Sequence, residues 1–253
     1  MLGIYFTGTG NSRYVLDIFL KKYDKTADMC ALTDENIAYF IKNNEKIIFS
    51  YPVQFSNIPK ILKDFVDKNQ RLWRGKHIFV IATMGLFSGD GAGILARRLQ
   101  KYGAQIEGGL HLKMPDSIAD EKVLKRSLER NKALVQAAEQ KIDKAVRNLK
   151  YGKPPQEGIG FWYYMVGLFG QRLYFYNKTK YYTDKLKIDA QKCVGCGKCV
   201  TQCPMKNIHI EQNTAKASNQ CTMCYCCVNI CPRQAITLLG KKIVEQGTIK
   251  KYL

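Results

Sequence analysis

Cysteine spacing carries the strongest chemical signal in this 253-residue chain: of ten cysteines, nine fall after residue 192. They are arranged as Cys193-x2-Cys196-x2-Cys199-x3-Cys203-Pro204 and again as Cys221-x2-Cys224-x2-Cys227-x3-Cys231-Pro232, every position of the second run displaced by 28 residues from the first. The same displacement maps Ile208 onto Ile236 and Ile210 onto Leu238, so a duplicated unit is the economical explanation. Three thiolates two residues apart can wrap three corners of one cuboidal metal–sulfur cluster from a tight loop. A fourth, after a gap of three and stiffened by proline, begins a separate turn and points away. Zinc would ask for one set of four ligands per ion and no Cys-Pro ending, and reduced compartments disfavour disulfides. The first 190 residues hold only Cys30, which excludes a disulfide-stapled miniprotein. Cys30, in a strand-like stretch, and Cys226, one residue out of register beside Cys227, read as small buried hydrophobes.

The doubled run resembles the ligand pattern of bacterial ferredoxins with two [4Fe–4S] clusters, in which the fourth cysteine of each run serves the other cluster. The resemblance implies one cluster on Cys193, Cys196, Cys199 and Cys231, and a second on Cys221, Cys224, Cys227 and Cys203. Tyr225 and Ile230 are expected to keep water from them.

A second candidate lies near the N-terminus. Thr7-Gly8-Thr9-Gly10-Asn11-Ser12 follows a short apolar strand and opens a helix. Gly8 and Gly10 permit a tight turn and a close approach, and free N–H groups at the helix start favour an anion. Arg13 stands where a dinucleotide fingerprint needs its third glycine, and no lysine completes a triphosphate loop. Hydroxyls and an amide without a cation suit a monophosphate ester held by neutral donors.

These groups must be positioned by the elements around them. Strand-like runs at Leu2–Phe6, Met29–Leu32, Lys46–Ser50, His77–Thr83 and Gln105–Leu112 alternate with helical spacing over Ser12–Lys22, Pro59–Lys68, Gly91–Tyr102 and Asp120–Leu149. Such alternation predicts right-handed crossovers and an α/β doubly wound parallel sheet covered on both faces. Ligands of such sheets lie beyond the carboxyl ends of the strands, so the loops after Phe6, Ser50 and Thr83 share the binding edge. Trp73 leads into a strand and is assigned to the opposite edge. Lys150-Tyr151-Gly152-Lys153-Pro154-Pro155 reads as a linker. The expected division is 1–150 for the sheet domain, 151–183 for an aromatic and basic linker, and 184–253 for a small α+β cluster module.

The loop TGTGNS resembles the FMN-phosphate loop of flavodoxins. That likeness implies FMN, with its phosphate at Thr7, Gly8, Thr9, Gly10, Asn11 and Ser12. It also implies that the flavin ring lies between the loops Tyr51–Asn57 and Thr83–Gly93, which brings in Tyr51, Pro52, Phe55, Thr83, Gly85, Phe87 and Gly89. A flavodoxin-like domain followed by a two-cluster module is similar to the prokaryotic flavodoxin–ferredoxin fusions often called EFR-type ferredoxins, and the likeness covers nearly the whole chain. Asp116, after Lys113-Met114-Pro115, resembles a recurring feature of that group.

The chain holds 40 Lys+Arg against 21 Asp+Glu, a formal charge of +19. Allowing roughly −4 for two oxidised clusters with their thiolates and −2 for FMN leaves about +13, which favours acidic partners. No stretch of about 18 apolar residues exists to span a bilayer, and Met1–Phe6 lacks a basic n-region, so a cytoplasmic location is expected. The linker's rings (Phe161, Trp162, Tyr163, Tyr164, Phe169, Tyr174, Phe175, Tyr176, Tyr181 and Tyr182) are expected to be clamped between the two domains. An interfacial helix is the other reading. The expected function is electron relay between FMN and two [4Fe–4S] clusters, as carrier or oxidoreductase, with an acidic redox protein as partner. The alternatives are a nucleic-acid or membrane-surface binding protein with structural or sensory clusters, and a sheet domain that binds no FMN. No nucleic-acid-reading motif is present.

Overall fold

The computed structural model describes residues 1–87, 89–169, 173, 175 and 185–253. Five strands, β1 (Leu2–Tyr5), β2 (Asp28–Ala31), β3 (Lys46–Pro52), β4 (His77–Met84) and β5 (Gln105–Lys113), form a parallel sheet in the spatial order 2-1-3-4-5. That order is the flavodoxin-like form of the doubly wound fold, with its switch point between β1 and β3. Alternate residues feed two cores. Ile47, Phe49, Ile78 and Val80 pack with Leu62 and Val66 of α3 (Lys60–Lys68) and Leu95 and Leu99 of α4 (Gly91–Lys101). Ile48, Phe79 and Ile81 face Val15, Leu16 and Phe19 of α1 (Asn11–Tyr23) and Val135 and Ile142 of α5 (Leu128–Lys150). A short α2 (Ile37–Lys42), not foreseen, covers the first core through Ile37 and Ile41. Trp73 is 0% exposed between Phe49 and Phe65, its indole N–H donating to the Val66 carbonyl at 3.0 Å; it is a core anchor away from the binding edge.

The linker caps the sheet. The Gly109 N–H donates to Pro155 O at 2.8 Å, and the Glu157 N–H donates to Gly109 O at 2.9 Å. The free edge of β5 is thereby covered. Helix α6 (Phe161–Gly167) packs on α4, where the Arg97 guanidinium lies 4.7 Å from the Tyr164 ring centre. Five of the described rings are not clamped between the domains: Tyr163 meets His111 of β5, Tyr164 meets Arg97, and Phe161, Trp162 and Phe169 are exposed. Among the described rings, Phe175 reaches the binding edge, 5.6 Å from Phe55, in a cavity that Met223 and Tyr225 of the module also line. Tyr174, Tyr176, Tyr181 and Tyr182 lie outside the described residues. No helix among the described residues is long and apolar enough to cross a membrane.

The C-terminal module pairs β6 (Lys187–Ile188) with β9 (Ile236–Thr237) and β7 (Ile208–Glu211) with β8 (Thr214–Ala217), both antiparallel. Its short helices are α7 (Lys198–Thr201) and α8 (Cys226–Ile230). The 28-residue repeat recurs in the backbone. Gly195 and Met223 have φ of 64° and 55°, Gly197 and Tyr225 have 73° and 61°, and Lys206 and Gln234 have 50° and 49°. The first copy meets two of these left-handed positions with glycine. The second meets them with large side chains, at a cost of roughly 1–2 kcal/mol each.

The two parts exchange segments. The periodicity predicts a helix from Asp120, but α5 starts at Leu128, capped by Ser127, whose hydroxyl accepts from the Arg130 N–H at 3.3 Å. Residues 117–120 instead enter the module. Ala119 joins its core, and Asp120, 4% exposed, accepts from Tyr225 Oη at 2.9 Å and from the N–H groups of Leu238 and Leu239 at 2.6 and 2.9 Å. In return the C-terminal tail packs on the sheet domain, with Ile249 and Tyr252 beside Val15 and Leu16, and the Ile249 N–H donates to Thr9 O at 2.9 Å.

Asp120→Ala therefore destabilises the chain by about 2–4 kcal/mol, as three donors to a buried carboxylate lose their acceptor; urea unfolding of the cofactor-loaded protein measures it. His111 supplies a pH-dependent component. Its Nε2 accepts from the Ala92 N–H at 3.1 Å, and burial lowers its pKa from 6.5 to about 4. The unfolded chain takes up that proton first on acidification. The contribution is thus complete above 6.5 and lost as pH falls toward about 4, by at most about 3 kcal/mol. His111→Gln flattens this part of the stability–pH curve.

Candidate cofactor sites

The eight cysteines of the two runs ring two cavities of nearly equal size, with Cys226 also bordering the second. Cys193, Cys196, Cys199 and Cys231 line one of about 370 Å³; Cys203, Cys221, Cys224 and Cys227 line another of about 360 Å³. Each cavity thus takes three thiols from one run and the fourth from the other. Aliphatic side chains complete the walls: Ile210, Ala215 and Ile236 in the first, Ile208, Val228 and Leu238 in the second. Two backbone amides donate to sulfur at each: Ala215 to Cys193 at 3.4 Å and Ala235 to Cys231 at 3.3 Å, then Asn207 to Cys203 and Met223 to Cys221, both at 3.3 Å.

Among the described residues, no three His, Cys, Asp or Glu side chains gather on the position of a single metal ion; the thiols surround volumes. Burial pushes the Cys199, Cys221, Cys224 and Cys227 thiols up. A thiol so placed ionises when metal replaces its proton. Four thiols around a dry space with N–H groups aimed at sulfur fit a cubane cluster.

The remaining cysteines separate. Cys30 is buried in the sheet core. Cys226 opens α8 and borders both the second cavity and the adjoining cleft, so it touches the cluster space that its register seemed to turn it from. Ile230 faces that cleft, and Tyr225 walls the second cavity. The duplicated isoleucines also differ: Ile208, Ile236 and Leu238 are buried, whereas Ile210 is 41% exposed.

A third cavity, about 1000 Å³, lies at the carboxyl edge of the sheet. Pro52 at the end of β3 and Phe55 from the loop after it, and Thr83 near the end of β4 with Gly85 and Phe87 from the loop after it, line it with Asn11, Pro115 and Asp116. Met223, Tyr225 and Phe175 close it. Tyr51 and Gly89 do not reach it. Tyr51 is 0% exposed in the core and donates its hydroxyl to Gly91 O; Gly89 lies where α6 crosses, and a side chain there would strike Gly167.

Asn11 is the member of the predicted phosphate loop that reaches this cavity. Its Nδ2 donates to Pro115 O at 2.8 Å, and its buried Oδ1 has no partner among the described residues. The other members are already engaged. Thr7 Oγ1 accepts from the Gly10 N–H at 3.0 Å, Ser12 Oγ bonds Thr83 Oγ1 at 2.8 Å, and Thr7, Gly8, Thr9 and Gly10 border a separate cleft with Arg13, Lys206 and Lys250. Gly8 and Gly10 were expected to admit a ligand. Side chains there would collide with the Cys224 carbonyl and with Ile249, so what approaches closely at these two positions is the chain's own module and tail.

Asp116 had no role from the sequence. It lines the cavity, its Oδ1 accepts from the Ile118 N–H at 2.8 Å, its Oδ2 presses on Gly85, and burial raises its pKa. The Lys-Met-Pro-Asp stretch gave no periodic or ligand-spacing signal to reveal this.

The description of a 4Fe-4S dicluster domain matches residues 185–232. Ferredoxin of Methanothermococcus thermolithotrophicus is 40% identical over 55 residues, which are 20% of this chain and 92% of that protein. The putative oxidoreductase UacF of Escherichia coli K12 is 28% identical over 74 residues, 28% of this chain and 12% of UacF; the chain thus spans only a small part of that relative. Among solved structures, Flavodoxin 2 of Bacillus cereus is 17% identical and covers 59% of this chain and 97% of its own, with a TM-score of 0.45. Two-electron reduced Megasphaera elsdenii flavodoxin is 16% identical, with 58% and 99% coverage and a TM-score of 0.43. Through its C-terminal module the chain belongs to the ferredoxins with two [4Fe–4S] clusters. That cluster module is joined to a sheet domain of flavodoxin-like strand order.

If the ligands are the eight cysteines of the two runs and Cys226 only borders the second cavity, Cys224→Ser costs the second cluster and lowers iron to about half, whereas Cys226→Ser leaves iron near the wild-type level. Iron per chain in anoxically prepared protein decides between these outcomes.

Proposed function

We propose that the chain relays electrons between FMN, seated in the cavity at the sheet edge, and two clusters held by Cys193, Cys196, Cys199 and Cys231 and by Cys203, Cys221, Cys224 and Cys227. The observation that carries this reading is a shared wall. Tyr225 lines both the second cluster cavity and the sheet-edge cavity, and Met223, on the other side of Cys224, also lines the latter. Gln54 fixes the contact by donating to Met223 O at 3.1 Å. Met223 and Tyr225 are the two positions at which the second copy replaces the left-handed glycines of the first. Strained large residues at a binding wall are the usual mark of a functional constraint.

FMN exchanges two electrons and can release them singly, while each cluster passes one at a time. The residues supply holding, orientation and dryness. The buried Asn11 Oδ1 offers an acceptor to a hydroxyl donor, and the first turn of α1 supplies N–H groups for the phosphate. Phe55, Phe87 and Met114 give the cavity apolar cover, and Thr83 and the backbone at Gly85 give it polar edges. Asp116 holds a carboxyl group against Gly85 within reach of whatever occupies the cavity. Tyr225, fastened through its hydroxyl to Asp120, excludes water between the two sites.

Protein prepared without oxygen then contains about eight iron, about eight sulfide and about one FMN per chain. Asn11→Ala lowers FMN by about tenfold while leaving iron unchanged, since one lost hydrogen bond to a buried acceptor is worth about 1–2 kcal/mol. Wild-type chain with full iron and no flavin would remove FMN from the reading and leave the clusters standing.

A further inference from the structure

The two cluster cavities are not equivalent in position. The second abuts the sheet domain: Cys224 packs on the sheet core, and its carbonyl meets Gly8. The first is lined by residues of the C-terminal module alone. Of the eight cysteines that ring the cavities, Cys196 of the first is the one that is exposed. Around it the surface is apolar at the centre, with Val194 51% and Ile210 41% exposed and Pro232 beside them. Lys198 and Arg233, both exposed, line the same cavity. Neither forms an ion pair among the described residues, whereas nearby Lys192 is met by Asp189 at 3.3 Å.

We infer that this face, Val194, Cys196, Ile210 and Pro232 flanked by Lys198 and Arg233, is where an acidic redox protein docks to exchange electrons with the first cluster. The inference rests on the cluster half of the proposed function and not on FMN. Apolar contact at the centre supplies adhesion, and the uncompensated cations steer an anionic surface onto the exposed thiolate edge. The patch is aliphatic and offers no ring for a base to stack on, which favours a protein over a single-stranded nucleic acid. One electron crosses: the reduced first cluster is oxidised as the partner's oxidised centre is reduced, and no bond is made or broken. The molecule is thereby polar, with the cavity at the sheet edge at one end of the relay and Cys196 at the other.

The test uses the anoxic, cofactor-loaded chain reduced with dithionite. Its oxidation is followed with hexacyanoferrate(III), a trianion, and hexaammineruthenium(III), a trication, over a range of salt concentrations. Lys198→Glu/Arg233→Glu is compared with Lys144→Glu/Arg147→Glu, an equal charge change on the exposed side of α5. The first pair slows the trianion by about tenfold at low salt, speeds the trication, and loses both effects at high salt. The second pair changes either rate by less than about twofold. The charge-neutral pair Lys198→Gln/Arg233→Gln gives an intermediate loss and serves if the glutamates disturb assembly.

Iron is measured on every variant first, so that a missing cluster is told apart from a misplaced docking face. Carbodiimide coupling of the wild-type chain to a purified acidic flavodoxin gives a readout independent of turnover, and Lys198 appears in the cross-linked peptide. Equal slowing by both glutamate pairs, cross-links that map to α5, or an oligothymidylate that blocks the coupling at Lys198 overturns the inference.

Discussion

Asp120 is the point from which the rest of this structure follows. A carboxylate that is 4% exposed needs donors, and it finds all three in the other half of the chain: Tyr225, Leu238 and Leu239. Satisfying it draws residues 117–120 out of the helix that would otherwise have begun there. The returning tail completes the exchange by burying Ile249 and Tyr252 in the sheet domain and by holding Thr9. Neither half can swing away without exposing part of its own core. The cluster loop around Cys224 is therefore held against the carboxyl edge of the sheet as a fixed wall.

That fixed wall explains how two copies of one unit diverged. Both copies bend through left-handed backbone at equivalent positions, but the first uses Gly195 and Gly197 while the second uses Met223 and Tyr225. In the first copy Gly197 meets open space, and at Gly195 a side chain would strike Asn213, so glycine stays at both. In the second copy the side chains border a cavity, and Tyr225 also anchors to Asp120, so the conformational cost is offset by contacts glycine could not make. The same asymmetry leaves Ile210 exposed while its counterpart Leu238 is buried.

Much of this was legible in the sequence. Ligand spacing within each run is a local property, and the cross-paired grouping of Cys231 with the first run and Cys203 with the second, implied by the resemblance to two-cluster ferredoxins, is found around the two cavities. The five strands and their alternating faces were legible because hydrophobic periodicity reports local burial. Contacts made across the chain were not. Nothing near Gly8 says that the Cys224 carbonyl will rest on it, and nothing near Asp120 says that its partners lie about 105 to 119 residues away. Tyr51 and Gly89 sat in the right loops for a cavity wall, yet strand register turned the first into the core and α6 claimed the second. The aromatic linker was legible only in part: its composition suggested burial between domains, and Phe175 lies with Phe55 and Met223, while Phe161 and Trp162 face outward.

A docked and immobile pair of sites transfers electrons within one molecule. Stopped-flow mixing of the anoxic, cofactor-loaded chain with substoichiometric dithionite, monitored at flavin and cluster absorbance bands, measures this directly. The account predicts redistribution between the two absorbances with a first-order rate that does not change with protein concentration. A rate that rises in proportion to protein concentration would show that the two sites meet only in collisions between molecules, and would contradict the shared wall.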